Sequence, residues 1–436
     1  MVENKGYSKN VELIGYHKLN SVDTGFQMAL QSANDRSYLY LAGWFFPGWH
    51  IVDVTEPAKP RYIQFFKGPQ APDQKTKTWK IQVADGKLIS SLQQGYDGIA
   101  IYDVEQDPEN PKFLSQWSTG DPTGSTHRNF YNGGRYVHLS SRCKGFAGNI
   151  YRIVDIIDPK KPVEVGRWWM PEQWLPGVKQ EEREAIQRRR AGLHGPPYVK
   201  GNLVYCSWGS AGMKILDISD ITQPKLVGQL RHNPPFAGGK CGAWCHTIVP
   251  LSQRPYAVMT SEGERFPLFS KAVIGGKPQP LALFGMVDVS DPSDPTLVST
   301  FPYPEVPPGF PYPNFNDCGL GCNGPFGPHN LHEPHDHPDL EDRNDRIYCC
   351  YFHGGLRIYD ISDPFVPKEI AYYIPPNPTK WIYGEHTLAD DDPTFSLFAW
   401  PRGPMIATTE DVLVDKRGYI FMDTFHDGLY VLRCTV

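Results

Sequence analysis

Four histidines stand at one recurring place in this chain. Nine residues before Tyr136, Leu203 and Tyr419 are His127, His194 and Glu410, and ten before Tyr256 is His246. Pro328-His329-Asn-Leu-His-Glu opens a strand after a loop in the same way, which places His329 in the set. Neutral imidazoles suit Fe, Cu, Zn or Ni, whereas a site without thiolates or several carboxylates disfavours Ca and Mg. The expected metal ligands are therefore His127, His194, His246 and His329, and the expected cofactor is a transition metal ion: Fe, Cu or Zn. Glu410 is then a fifth ligand or a partner that orients a ring N–H. His332 and Glu333 follow His329 closely enough for either to replace it. Glu410, His332 and His386, the last in Gly384-Glu-His-Thr, are the candidate catalytic residues. The competing reading is that a histidine recurring in a repeat ties strands together by hydrogen bonds.

What must position these residues is a phrase that keeps returning. Ile51-Val-Asp-Val-Thr-Glu-Pro recurs as Ile101-Tyr-Asp-Val, Ile153-Val-Asp-Ile, Ile215-Leu-Asp-Ile, Met286-Val-Asp-Val and Ile358-Tyr-Asp-Ile. The aspartates fall at 53, 103, 155, 217, 288 and 360, and Gly428-Leu-Tyr-Val-Leu-Arg is a decayed seventh copy. Self-similarity at such a period marks a repeat architecture. The β-branched run before each aspartate reads as a buried strand, and the Asp-Pro…Pro segment as a turn. A second hairpin precedes each phrase, as in His127–Tyr131 and Tyr136–Ser140 around Asn132-Gly-Gly-Arg. Four antiparallel strands per unit make a propeller blade. Val11-Glu-Leu-Ile-Gly matches the fourth strand of other units, and the last unit stops after its third. The prediction is an all-β, seven-bladed β-propeller of four-stranded blades, a single domain over 1–436, with the N-terminal strand closing the last blade. Closure leaves no exposed sheet edge.

The phrase resembles the repeat of the LVIVD-repeat family of β-propellers. More distantly, the design is similar to the seven-bladed propellers of the selenium-binding protein and methanethiol oxidase group. The resemblance implies the fold over nearly the whole chain.

A net charge of −5 carries no nucleic-acid footprint. No apolar run approaches the ~20 residues that cross a bilayer. The start, Met1-Val-Glu-Asn-Lys-Gly, lacks a signal-peptide core, so the expected location is cytoplasmic. Nine cysteines, an odd number, argue against a disulfide framework. Cys241-x3-Cys245 and Cys318-x3-Cys322 read as loop packing, a structural metal site or a redox pair.

The long insertions, 171–193, 263–285, 301–328 and 375–409, all fall in connections at one end of the blades. The first carries a short charged helix around Gln180. They form an expected cap on one face, where long connections usually carry function. The excursion 335–346 lies on the plain face and reads as solvated.

A histidine-ringed metal site on a propeller axis is similar in arrangement to two known solutions. Carotenoid-cleaving oxygenases hold iron with four histidines and a glutamate behind them, and methanethiol oxidases use a histidine copper site. The expected function is a metal-dependent enzyme of oxidase or oxygenase type acting on a small organic substrate. Two alternatives stand beside it: a lyase or hydratase using His and Glu410 for acid–base chemistry, and a non-catalytic interaction scaffold. Oligomeric state stays open.

Overall fold

Each repeat aspartate caps its own turn. The carboxylate Oδ1 accepts the backbone N–H two residues on in all six copies: Thr55 at Asp53 (2.9 Å), Glu105 at Asp103 (3.0 Å) and Ile157 at Asp155 (2.9 Å). Ser219 bonds Asp217 at 2.7 Å, Ser290 bonds Asp288 at 2.8 Å and Ser362 bonds Asp360 at 2.8 Å. This Asx turn ends the third strand and aims the chain into the fourth.

The computed structural model describes residues 6–436 apart from 23–24, 45, 69–75, 94–95, 189–191, 232–244, 263–282, 312, 314, 316–325, 380–406 and 426. The described strands form seven four-stranded antiparallel sheets. The fold is a seven-bladed β-propeller. Blade one comprises Gly25–Ala33, Arg36–Gly43, Gly48–Asp53 and Arg61–Lys67 in that order from the inside outward. The innermost strands of blades two to five and seven are Ile81–Ala84, Ser125–Phe130, Tyr198–Lys200, Cys245–Pro250 and Thr409–Val414. In blade six the innermost segment is irregular. It pairs with Arg346–Cys350 through bonds such as His329 N to Cys350 O (2.9 Å) and Cys350 N to Asn330 O (2.9 Å).

Both ends of the N-terminal segment add strands. Val11–His17 pairs with Gly428–Cys434 and closes blade seven, as the sequence predicts. Tyr7–Lys9 also pairs with Lys368–Ile374 and becomes the outer edge of blade six.

In five of the seven blades a serine or glycine at one position in the fourth strand joins the blade to the next. Ser115 Oγ donates to Pro159 O (2.5 Å) and Ser299 Oγ to Pro364 O (2.6 Å), in the turn of the following blade. Elsewhere a glycine lets the backbones touch. A Cβ on Gly166, Gly228 or Gly15 would lie 2.1, 2.0 or 2.2 Å from a turn carbonyl of the next blade. The Gly15 contact, with Pro57, seals blade seven onto blade one.

The helical insertion is present as Gln180–Arg188. Upstream, its turn at Pro171–Gln173 packs on the connection between the second and third strands of blade three, where Phe146 meets Trp174 edge to face at 5.0 Å. Most of the 263–285 and 375–409 insertions, residues 316–325, His386, Cys241, Cys318 and Cys322 lie outside the described residues. Cys245 is free and buried. Among the described residues no helix is long and apolar enough to cross a membrane.

The plain-face excursion corrects the sequence reading. It is not a solvated loop, because Glu333, His335, Asp339 and Leu340 are buried. It crosses the propeller axis from blade six. Ser32 N of blade one bonds Asp339 Oδ2 (2.5 Å), Gln82 of blade two meets His335 Nε2 (3.0 Å), and Lys416 N of blade seven bonds Asp339 O (2.9 Å). Asp339 serves these contacts, whereas Asp336 and Asp342 are exposed. At its root a buried ion pair, Lys80 Nζ to Glu333 Oε2 at 2.8 Å, joins blade two to blade six.

Candidate metal centre

Backbone irregularity places the histidines. The inner strand of blade three is bulged between Thr126 and Arg128, that of blade five between Cys245 and Thr247, and that of blade seven between Thr409 and Val412. His127, His246 and Glu410 occupy those bulges. A bulge leaves its extra residue outside the ladder and re-aims its side chain. Blade one is bulged between Gly25 and Met28, so Gln27 is its member of the set. Gln27 Nε2 donates to Asn330 Oδ1 at 3.2 Å. The bulge is common to blades three, five and seven, and the tenth residue of the blade-five spacing lies in its hairpin turn between Pro250 and Tyr256.

The four imidazoles form a continuous arc over blades three to six. Ring centroids are 4.3 Å apart for His127–His194, 4.4 Å for His194–His246 and 4.5 Å for His246–His329. Nε2 of His127 and Nε2 of His194 approach to 2.9 Å. The opposite nitrogens are taken up outside the arc. His127 Nδ1 meets the Gln93 amide (3.1 Å), His246 Nδ1 meets Thr247 Oγ1 (2.7 Å), and His329 Nδ1 donates to the Glu410 carbonyl (3.3 Å). Partners on Nδ1 fix the tautomer and leave Nε2 as the available lone pair. His246 Nε2 is buried with no hydrogen-bond partner among the described residues. Burial holds His127, His246 and His329 well below the usual histidine range, and the Arg128 charge adds to this, so these rings are neutral at pH 7.

Glu410 adjoins the end of the arc, with Oε1 3.5 Å from His329 Nδ1. Burial, and Asp423 behind it, push its carboxyl well above the usual range. The Phe352 ring lies over His329 at 4.2 Å, and its backbone sits at a φ of 49°, left-handed for a bulky residue. Trp79 takes the equivalent place in blade two, stacked on Trp44 at 4.1 Å and edge-on to His127 at 6.3 Å.

The structure separates His332 from this group. Its Nε2 donates to Glu341 O (2.7 Å) within blade six's own excursion and its Nδ1 accepts from Val414 N (3.2 Å) of blade seven, so both nitrogens are occupied. A catalytic place for His332 is therefore withdrawn, since neither nitrogen is available. Glu333 also stays out of the arc, held by Lys80 and by His335 Nε2 at 3.1 Å.

Sequence reasoning missed Glu262, the residue after the second strand of blade five. One oxygen of Glu262 and one nitrogen each from His194 and His246 all lie within 4.8 Å of one another. Its signal was its place at the mouth of a long insertion, the same end as the histidines. Gln93, two residues past a second strand, was missed for the same reason.

Residues 198–231 and 284–302, in blades four and five, match the LVIVD repeat. The chain carries LVIVD repeats. Among solved structures it is similar to U3-55K, at 8% identity and a TM-score of 0.54 over 97% of this chain and 98% of that one. It is also similar to the β-propeller domain of Cps50 (Swd1) from Myceliophteria thermophila, at 9% identity and a TM-score of 0.54 over 95% and 98%. The WD40 repeats of RRP9 give 8% identity and a TM-score of 0.52 over 97% of each chain. These likenesses are to the fold. No curated protein was found to match the chain.

Proposed function

We propose that His127, His194, His246 and His329 hold one transition metal ion, Fe, Cu or Zn, through their Nε2 atoms. On this reading the protein is a metal-dependent enzyme of oxidase or oxygenase type acting on a small organic substrate. One observation carries it: the four rings stand side by side in one arc while separate partners hold Nδ1 of three of them, which is how proteins orient histidine ligands. The buried, unpartnered His246 Nε2 fits the same donor set. A bound ion of this kind supplies Lewis acidity or a position for O2. The chain's own contributions are distinct. Gln93, Thr247 and the Glu410 carbonyl orient the ligands, Phe352 covers His329, and Glu262 adds a carboxylate beside His194 and His246. The plug at 333–341 closes the plain-face end of the axis.

The buried Glu410 carboxyl, pushed above the usual range and 3.5 Å from His329, favours a second reading, acid–base chemistry of the lyase or hydratase type, in which this carboxyl gives up and regains a proton. Elemental analysis of the purified chain decides between them. The expected result is close to one transition metal ion per chain, and full activity in a metal-free preparation leaves only the acid–base reading.

A further inference from the structure

Arg128 follows the bulged His127 and is 1% exposed. Its Nε and Nη1 are buried with no hydrogen-bond partner among the described residues. The guanidinium lies 5.5 Å from the Phe26 ring of blade one. Its charge is felt by Glu333 of blade six and by Glu410 and Asp411 of blade seven, as well as by Glu262. A cation on blade three that reaches groups of blades one, five, six and seven sits at the axis, beside the histidine arc.

Two of these four carboxylates are committed elsewhere, and no ion pair among the described residues joins Arg128 to any of the four. Glu333 contacts Lys80 at 2.8 Å and His335 at 3.1 Å, and Asp411 Oδ2 accepts Met28 N at 2.8 Å. The other fully buried arginines are treated differently. Arg152 contacts Asp97 and Glu164, each at 2.6 Å, and Arg357 contacts Glu369 at 3.2 Å. Burying a guanidinium without a contacting anion costs several kcal/mol, which an oxyanion accepting its N–H groups offsets.

We propose that Arg128 anchors a carboxylate, so that the substrate of this site is a small organic acid bound with its anionic end on Arg128 and its remainder toward the histidines. The place of the reaction rests on the metal reading above, while the anion site stands on Arg128 alone. Phe26, Trp44 and Trp79, packed together beside it, make an aromatic acid a suitable probe.

The test is calorimetric titration of the full chain with benzoate and with benzamide, its neutral counterpart, before and after chelation. Benzoate is expected to bind at least about tenfold more tightly than benzamide in both preparations, because only the anion completes the guanidinium. Arg128→Gln should abolish that preference. If Arg128→Gln does not fold, Arg128→Lys keeps the charge and should still weaken benzoate about tenfold, since an ammonium cannot reproduce the planar donors. Absence of benzoate binding, or equal binding of the two probes, makes Arg128 a structural counter-charge only and overturns the proposal. Benzoate binding that vanishes on chelation and ignores Arg128 overturns it as well. Arg128-dependent binding in a chain that holds no metal sinks the metal reading alone.

Discussion

His127 Nε2 and His194 Nε2 face each other at 2.9 Å, across a boundary between blades three and four that no backbone ladder bridges at that point. Two imidazole rings at that distance either share one N–H or face a common cation. The next two rings continue the same arc, which a single shared proton does not require. His246→Ala therefore removes one ligand of four and is expected to lower bound metal several-fold, measured by elemental analysis. A variant that keeps its full metal content places His246 outside the coordination sphere.

Glu410 touches His329 through its backbone carbonyl and its carboxyl, and only the second is lost on substitution. Glu410→Gln keeps the shape and the carbonyl. The expected outcome is near-normal metal content with turnover lowered about 10²-fold or more, the scale of a lost proton-transfer group. Equal loss of metal and turnover would make Glu410 a direct ligand instead.

The fold was legible because its devices are local and repeat. The Asp of each phrase bonds two residues ahead, and in five blades a small residue of the fourth strand meets the next turn, so both follow the period. The histidines were legible for the same reason, displaced only by bulges. What escaped are contacts between distant blades. Lys80 and Glu333 are 253 residues apart, and nothing in either one's neighbours announces the other. Arg128 and Glu262 acquire meaning only when the ring is closed. His332 shares its residue type with His329 three positions away, while its hydrogen bonds run to Glu341 in its own blade and to Val414 in the next.

The plug rests on that Lys80–Glu333 pair, both members nearly fully buried. Burial pushes the Glu333 carboxyl up, but Lys80 and His335 outweigh it and hold it well below the usual range. Glu333→Gln leaves the Lys80 ammonium buried without its anion and is expected to cost roughly 3–5 kcal/mol in urea unfolding. Lys80→Met with Glu333→Leu removes both charges and should recover much of that loss. A double variant as unstable as the single one would assign the effect to packing.

Ring closure depends on Gly15, whose Cβ would sit 2.2 Å from Pro57 O. Gly15→Ala forces blade seven away from blade one and is expected to destabilise the chain by about 1–3 kcal/mol, as overpacking does. Gly134→Ala is the control. It lies in an open turn with nothing within 4 Å of the added carbon, though its φ of 74° makes it a demanding one. If Gly15→Ala costs no more than Gly134→Ala, the seal is not under the constraint the geometry implies.

His332 gives the fold an acid limit. Its Nδ1 accepts the Val414 N–H and its Nε2 donates to Glu341 O, so the ring serves only as a neutral imidazole. Burial lowers its pKa from 6.5 to about 4. Between those values the unfolded chain takes up a proton at this ring that the folded chain does not, so stability is complete above 6.5 and falls as pH drops toward 4. By linkage this one group is worth roughly 3 kcal/mol across the window. His332→Gln, which carries no ionisable group, should lower stability at pH 7 but flatten its decline from pH 6.5 to 4.5. The difference in slope is expected to approach one proton, or about 1.4 kcal/mol per pH unit. Urea midpoints measured at half-unit steps read it directly. Parallel profiles for the two proteins would show that His332 titrates alike in the folded and unfolded chain, and that its two bonds do not hold the ring neutral.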